Sequence, residues 1–504
     1  MSALRELLAG LDARVRGDDG VAVVGVTSDS RNVARGGLFV AVPGATDHSV
    51  HGNRFARAAA DAGAAAILTD REGPETAGIP VVAVVQDARR ALAVVAERFH
   101  GNPSGRLRLL GVTGTNGKTT TAHVLEAMAT AAGEKAGFIG TTAVRLAGTE
   151  RPATHTTPPA DALCALLAEM VSAGVTTCGM EVSSHALDQG RVEGLHFAGG
   201  IFTNLTQDHL DYHRTMDAYF DAKARFFRQL LRKDAVAVLN ADDERVRSLR
   251  GASPARTLAF SATGGKAEVS ARRVAADAQG TTVEVSSPWG DFTLRTPLLG
   301  TYNVANVLGA AALHLATGTP REAVLQGAAE LRVVPGRLER VAHPRGARVL
   351  VDYAHTDDAL ARALDAVRPN VGPGGRLFVV FGCGGDRDAG KRPRMGEAAA
   401  RRADVVIVTS DNPRSEKPEA IADAILGGIR PVGMTELNAA LSGRGFTVEL
   451  DRKQAIAAAV RAAGPQDVVL IAGKGHEREQ IFADRKVPFD DRLVAAEAME
   501  GMPA

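Results

Sequence analysis

The stretch LRLLGVTGTNGKTTTAHVLEAMATAA, residues 107–132, constrains the fold of this 504-residue chain more than any other. An apolar run, a glycine-rich turn and an Ala-rich helical segment follow one another directly. That order reads as a strand feeding a helix across an anion-binding loop. Backbone N–H groups of Gly114, Thr115, Asn116 and Gly117 and of the first helical turn can cradle phosphate. Lys118 reaches the outer phosphates and Thr119 can ligate Mg²⁺, with Thr120 beside it. A purely structural strand-to-helix turn is the alternative reading. The usual pattern has a glycine five residues before Gly117, and here that residue is Val112. The loop is therefore a variant, outside the pattern of the common GTPases and motors.

Length implies two to four domains. Strand-like and helix-like segments alternate nearly throughout, which predicts α/β architecture with largely parallel sheets. Three units are expected, 1–100, 101–335 and 336–504, with HGNPSGR as a linker after the first and VVPGR as the break before the third. TTVEVSSPWGDFTLRT predicts a hairpin turning at Pro288-Trp289-Gly290. In the third unit four apolar runs each end in a polar stretch: ARVLVDYAH, GRLFVVFGCGGDRD, DVVIVTSDNPR and DVVLIAGKGHE. Ligands of parallel sheets bind beyond the carboxyl ends of strands, so these loops predict a site.

A net charge of +1 argues against nucleic acid or an anionic membrane as the main partner. The apolar runs are too short for a membrane span. Cys164, Cys178 and Cys383 have no paired spacing, which suggests reduced thiols in a cytoplasmic protein.

Three further stretches carry chemistry. MEVSSHALDQGR (180–191) sets Glu181 at a strand end, as a Mg²⁺ ligand or a solvated carboxylate. NLTQDHLDYH (204–213) brings His209 to another strand end. In AYFDAKARFF (218–227), Tyr219, Lys223 and Phe226 or Phe227 share a helix face. A lysine among aromatics ordinarily snorkels its amine to water. A functional neutral amine, such as one carrying CO₂ as a carbamate, would cost about 4.6 kcal/mol at pH 7 from an unperturbed pKa. On physical grounds alone snorkelling is preferred. Asn303, Arg337 and Asp352, at the junctions of units, suit an adenine edge, a phosphate and a ribose or an amide.

In this order, TGTNGKTT, MEVSSH, TNLTQDHLDYH, the helix lysine, YNVAN, PGRLE and DYAHT resemble the Mur ligases of bacterial cell-wall synthesis, over essentially the whole chain. The family's loop also lacks the early glycine. The resemblance implies a three-domain α/β protein, with a central parallel-sheet ATPase domain of P-loop type and a C-terminal Rossmann-like domain. It implies ATP and Mg²⁺, an acyl phosphate formed on a UDP-muramyl substrate, and attack by an amino acid to give an amide. Lys118, Glu181, His209 and Lys223 would be catalytic. Thr119 and Glu181 would serve one metal, and His209 and a carbamylated Lys223 a second, which reverses the snorkelling preference.

Within the family the chain resembles the branch that adds a diamino acid to UDP-MurNAc-L-Ala-D-Glu. Ser28, Ser30, Ala45 and Thr46 then correspond to the uridine-diphosphate site, and Thr156, Thr157, Ser183, Gln189 and Arg191 to the muramyl-dipeptide site. Asn303, Arg337 and Asp352 correspond to nucleotide contacts. SDNPRSEKP resembles the signature for diaminopimelate, with Arg387, Asp411, Asn412, Arg414, Gly473 and Glu477 as the pocket and Pro413 stiffening the loop. The physics agrees: an arginine can bind the distal carboxylate that lysine lacks. The meso isomer is expected, in a monomer. Rival readings are a lysine- or LL-diaminopimelate-adding ligase, a folylpolyglutamate synthase, which should lack the uridine-binding unit, and a non-catalytic Mur-like binding protein. One departure is Asp357, where the family usually has proline; at a helix start it can serve as an N-terminal charge.

Overall fold

The computed structural model describes residues 1–44, 50–277, 280–438, 440–500 and 502. Ala45 and Thr46 lie outside these residues. The fold is α/β with three main sheets.

The first sheet has five strands within residues 14–84. Leu38–Ala41 and Ala66–Thr69 are buried along their whole length, as expected of parallel strands covered on both faces. Leu38, Val40 and Leu68 pack with Leu92 and Val95 of the helix Ala88–Phe99. Phe39 and Ile67 point the other way, towards Ala56 and Ala59 of the helix Ala56–Asp61. The linker is short and pinned rather than loose. Ser104 N donates to Glu97 Oε1 at 3.0 Å, and Ser104 Oγ accepts from His196 N at 2.8 Å.

The second sheet has eleven strands. At its centre Arg108–Thr113 lies between Thr177–Glu181 and Phe197–Phe202, all parallel. The register sets Glu181 opposite Val112 and Phe202 opposite Thr113, so three strand ends open onto the same edge. Gly280–Ser286 and Phe292–Thr296 form the expected antiparallel hairpin. The helix Thr301–Ala316 buries Val304, Val307 and Leu308 in the same core as Val112, Ile201 and Val238.

In the third, seven-stranded sheet the four apolar runs are parallel neighbours: Arg348–Asp352, Val468–Ala472, Leu377–Phe381 and Val405–Val408. Asp404, just before the last of these, pairs with Arg368 and accepts from Leu377 N at 2.8 Å. Burial works to raise its carboxyl, but the Arg368 and Leu377 hydrogen bonds outweigh it and hold the pKa below the usual range. A depressed carboxylate stabilises the fold above its unfolded pKa and loses that contribution as pH falls. Asp404→Asn is therefore expected to destabilise by about 1 kcal/mol at pH 7. Thermal melts across pH should show the gap closing below about pH 4, and a gap independent of pH would refute it.

Cys164, Cys178 and Cys383 are free and buried, acting as small core residues. Among the described residues no helix is long and apolar enough to cross a membrane.

Candidate active site

Val112 is where it is because the strand needs it: it is fully buried in the core, and the turn begins only at Gly114. Two positions there require glycine. Gly114 has φ +147°, and a Cβ would lie 1.9 Å from Thr203 Oγ1; Gly117 has φ +87°, and a Cβ would lie 2.2 Å from Asn306 Oδ1. Thr115 N donates to Asn204 O at 2.9 Å, and Asn116 N to Asn204 Oδ1 at 3.0 Å. The loop is thus fastened to the neighbouring strand end. Lys118 opens the helix Lys118–Ala131, and its amine donates to Gly114 O at 2.9 Å and Thr115 O at 2.8 Å. Burial, only partly opposed by Glu181 and Asp208, lowers its pKa from the ordinary lysine range.

Glu181 closes its strand with 1% exposure. Its carboxylate accepts from Thr141 N at 2.8 Å and Thr141 Oγ1 at 3.1 Å. Thr119 Oγ1 accepts from Arg337 Nη2 at 3.2 Å. Lys223 does not snorkel. It is 1% exposed, with its amine 2.8 Å from Gly114 O and 4.6 Å from the Tyr219 ring centre. The helix face it occupies turns inward, together with buried Tyr219, Phe226 and Phe227. Burial first, then the nearby Lys118 charge, pushes its pKa well below the usual range. His209, with φ +54°, is lowered to about 3, chiefly by burial. Burial works to raise the Asp208 carboxyl, but His355 and His209 hold it well below the carboxylate range.

One cavity of about 510 Å³ is lined by Thr115 to Thr120, Thr156, Thr157, Glu181, Ser183, Arg191, His209, Lys223, Asn303, Arg337, Asp352 and Arg387. Thr157 Oγ1 donates to Glu181 O and accepts from Ser183 N, while Arg191 Nη1 donates to Thr157 O. Asn303 accepts from Asn306 Nδ2 at 3.1 Å. Asp352 accepts from Leu338 N at 2.8 Å, which brings Arg337 over the Tyr353 ring.

Other expected residues lie off this lining. Gln189 is held by Arg191 and Tyr212. Ser28 donates from its amide and hydroxyl to Asp161, and Ser30 begins a short 3-10 turn. Asp411, Asn412, Pro413, Arg414, Gly473 and Glu477 gather around two strand ends of the third sheet. Asn412 Nδ2 donates to Glu477 Oε2 at 2.9 Å. Arg414, at φ +50°, donates from Nη1 to Gly385 O at 2.8 Å.

Residues 22–100 match the family description "Mur ligase family, catalytic domain", residues 112–314 "Mur ligase middle domain", and residues 336–475 "Mur ligase, glutamate ligase domain". The chain belongs to the Mur ligase family. It is an enzyme, an ATP-dependent ligase of peptidoglycan-precursor synthesis. A relative from Parasynechococcus marenigrum (strain WH8102), named UDP-N-acetylmuramoyl-L-alanyl-D-glutamate–2,6-diaminopimelate ligase, is 46% identical, with 94% of each chain covered. A solved structure of a protein with the same name is 32% identical with a TM-score of 0.69, covering 99% of both chains. A MurF ligase from Thermotoga maritima in complex with ADP shares the fold, at 18% identity and a TM-score of 0.61 over 94% of this chain and 97% of its own.

The site of this Mur ligase is also braced by residues outside the expected set. Thr141 orients Glu181, and Asn204 anchors the glycine loop. Asn116 Nδ2 donates to Asp358 Oδ2 at 3.2 Å, and Arg394 Nη1 to Gln207 Oε1 at 2.7 Å, joining the second and third sheets' regions. Asp357 does sit in the first turn of the helix Asp357–Val367, and its carboxylate lies 3.4 Å from Arg394 Nε.

Proposed function

We propose that the chain joins meso-diaminopimelate to UDP-MurNAc-L-Ala-D-Glu, with ATP phosphorylating the substrate carboxylate. The observation that carries this is that one cavity is lined by the glycine loop together with Thr157, Arg191 and Arg387. A nucleotide phosphate, a muramyl-peptide carboxylate and an incoming amine can meet there. A carboxylate is a poor electrophile because its leaving group would be oxide; phosphorylation turns that oxygen into a phosphate leaving group. The amine then attacks the carbonyl carbon, phosphate departs and the nitrogen loses a proton. The chain's task is to position these groups and offset their charge. In this reading 1–100 holds the uridine diphosphate, 101–335 ATP and 336–504 the amino acid.

The residues present fit Mg²⁺. Thr119 and Glu181 supply the oxygen ligands it prefers, and His209 offers a neutral nitrogen. Among the described residues no group of three or more His, Cys, Asp or Glu could hold a metal unaided, so the cation is expected with its nucleotide phosphates. Bound there, Mg²⁺ would spread the charge of the transferring phosphoryl group. Lys223 fits a carbamate. Burial and the nearby Lys118 charge disfavour its protonated form, which favours reaction with CO₂, and the anion formed would sit beside the Lys118 ammonium.

The test is phosphate release with ATP, Mg²⁺ and UDP-MurNAc-L-Ala-D-Glu, adding meso-diaminopimelate, LL-diaminopimelate or L-lysine separately and checking product mass. Turnover with the meso isomer alone supports the reading. Turnover with lysine or the LL isomer corrects the amino acid, and silence with all three refutes the assignment. Arg414→Ala is expected to raise KM for meso-diaminopimelate by about tenfold to a hundredfold, as loss of an ionic hydrogen bond implies, with KM for the UDP substrate within about twofold. An unchanged diaminopimelate KM would remove Arg414 from the pocket.

A further inference from the structure

Lys474 follows Gly473 in the loop that leaves the strand Val468–Ala472, and it has no exposed surface at all. A lysine on a loop ordinarily lies in water; one sealed inside needs anionic partners close by. Lys474 Nζ donates to Glu477 Oε2 and to Asn412 Oδ1, each at 3.0 Å, and lies 3.7 Å from Asp411 Oδ1. Asn412 completes a triangle by donating from Nδ2 to the same Glu477 oxygen at 2.9 Å. Ile481 N also donates to Asn412 Oδ1 at 3.0 Å. All three corners are residues of, or next to, the amino-acid pocket proposed above, and the inference rests on that reading.

We infer that Lys474 is a positioning residue that tunes this pocket for an amino acid whose far end carries both an ammonium and a carboxylate. Two effects lead to this.

The first is orientation. An amide can sit either way round. The Lys474 ammonium and the Ile481 N–H can only donate, so both face the oxygen of Asn412, which turns Nδ2 towards Glu477. Glu477 Oε2 is thereby taken twice. The side chain is still about a third exposed, so the other oxygen is left to accept from a ligand ammonium.

The second is charge. Asp411 and Glu477 together carry two negative charges, and Lys474 offsets one. The remaining one matches a single ligand ammonium, and Arg414 is left to meet the carboxylate beside it. Without Lys474 two uncompensated carboxylates would face the ligand. They would favour a plain cation and repel a neighbouring carboxylate. Discrimination against lysine would fall even though Arg414 is untouched.

The sign of that second effect separates positioning from scaffolding. Lys474→Met is expected to raise KM for meso-diaminopimelate by about tenfold to a hundredfold, the range for hydrogen bonds to charged groups. KM for ATP and for UDP-MurNAc-L-Ala-D-Glu should stay within about twofold. The kcat/KM ratio of meso-diaminopimelate to L-lysine should fall by about tenfold. Lys474→Gln keeps a donor in the same place and should shift each quantity the same way by less. In a cycle with Glu477→Gln the KM effects should combine to less than their product, since one acts through the other.

Parallel losses for all substrates, an unchanged diaminopimelate-to-lysine ratio, full additivity, or loss of fold in both Lys474 variants would each make Lys474 a structural residue and overturn the inference. A wild-type protein that never uses a diaminopimelate would instead refute the function on which it rests.

Discussion

Lys223→Ala is expected to lose at least about a hundredfold in kcat, the scale for removing one preorganised charge-stabilising group, while the protein stays folded. The amine it removes is sealed beside the glycine loop, against Gly114 O and the Tyr219 ring. As an ammonium it would repel Lys118 at the point where phosphate must bind. As a carbamate it would carry a negative charge and two oxygens, turning that repulsion into attraction. The variant therefore loses an anion and leaves a space of about its size. Formate or acetate at millimolar concentration is expected to restore part of the activity of Lys223→Ala. Lys223→Arg should not respond, because its guanidinium fills the space and keeps a positive charge. Phosphate-release assays with and without added carboxylate decide the matter. Lys223→Ala retaining activity within about threefold of wild type would reduce Lys223 to a packing residue, and recovery by both variants would refute the carbamate.

What the sequence made legible was local. The strand, glycine loop and helix around Lys118 are contiguous, and Gly114 and Gly117 are demanded by the path of that one turn. The four apolar runs of the third unit could likewise be read one by one, because fully buried parallel strands are continuous apolar segments. What stayed hidden depends on side chains far apart in the chain. Thr141 matters only because it reaches Glu181, and Arg394 because it reaches Gln207. Neither has a sequence signature of its own. Lys223 was legible through the resemblance but not through physics, since an aromatic-lined helix face gives no sign of whether it turns outward or inward. Lys474 sat in plain view within GKGHE; the clue was that a single strand-end loop held a lysine three residues before a glutamate, the spacing of an ion pair. Gln189 shows the converse. Its segment belongs to the site, yet its amide is engaged by Arg191 and Tyr212.

The largest effect on stability is expected from Asp491→Ala, about 3–5 kcal/mol, the cost of stranding a buried charge. Arg452 and Asp491 have no side-chain exposure, and they pair twice: Nε to Oδ1 at 2.8 Å and Nη2 to Oδ2 at 2.7 Å. Arg452 Nη2 also donates to Ala472 O at 3.0 Å, the last residue before Gly473 and Lys474. Asp491→Ala leaves a guanidinium in the dry core with only the Ala472 carbonyl as a hydrogen-bond partner, and the C-terminal melting transition should drop by about 10 °C. Replacing both residues by leucine removes the charge as well as its partner and should recover much of that loss. A single variant as stable as wild type, or a double variant no better than the single, would contradict this by calorimetry. The pair also connects to the site above it. Burial opposes the Arg452 charge, but Asp491, then Asp411 and Glu477, hold it in place. With Asp491 gone, the two pocket carboxylates become the nearest anions to Arg452. Any Asp491→Ala protein that remains folded should therefore show a raised KM for the amino acid before any change in KM for ATP.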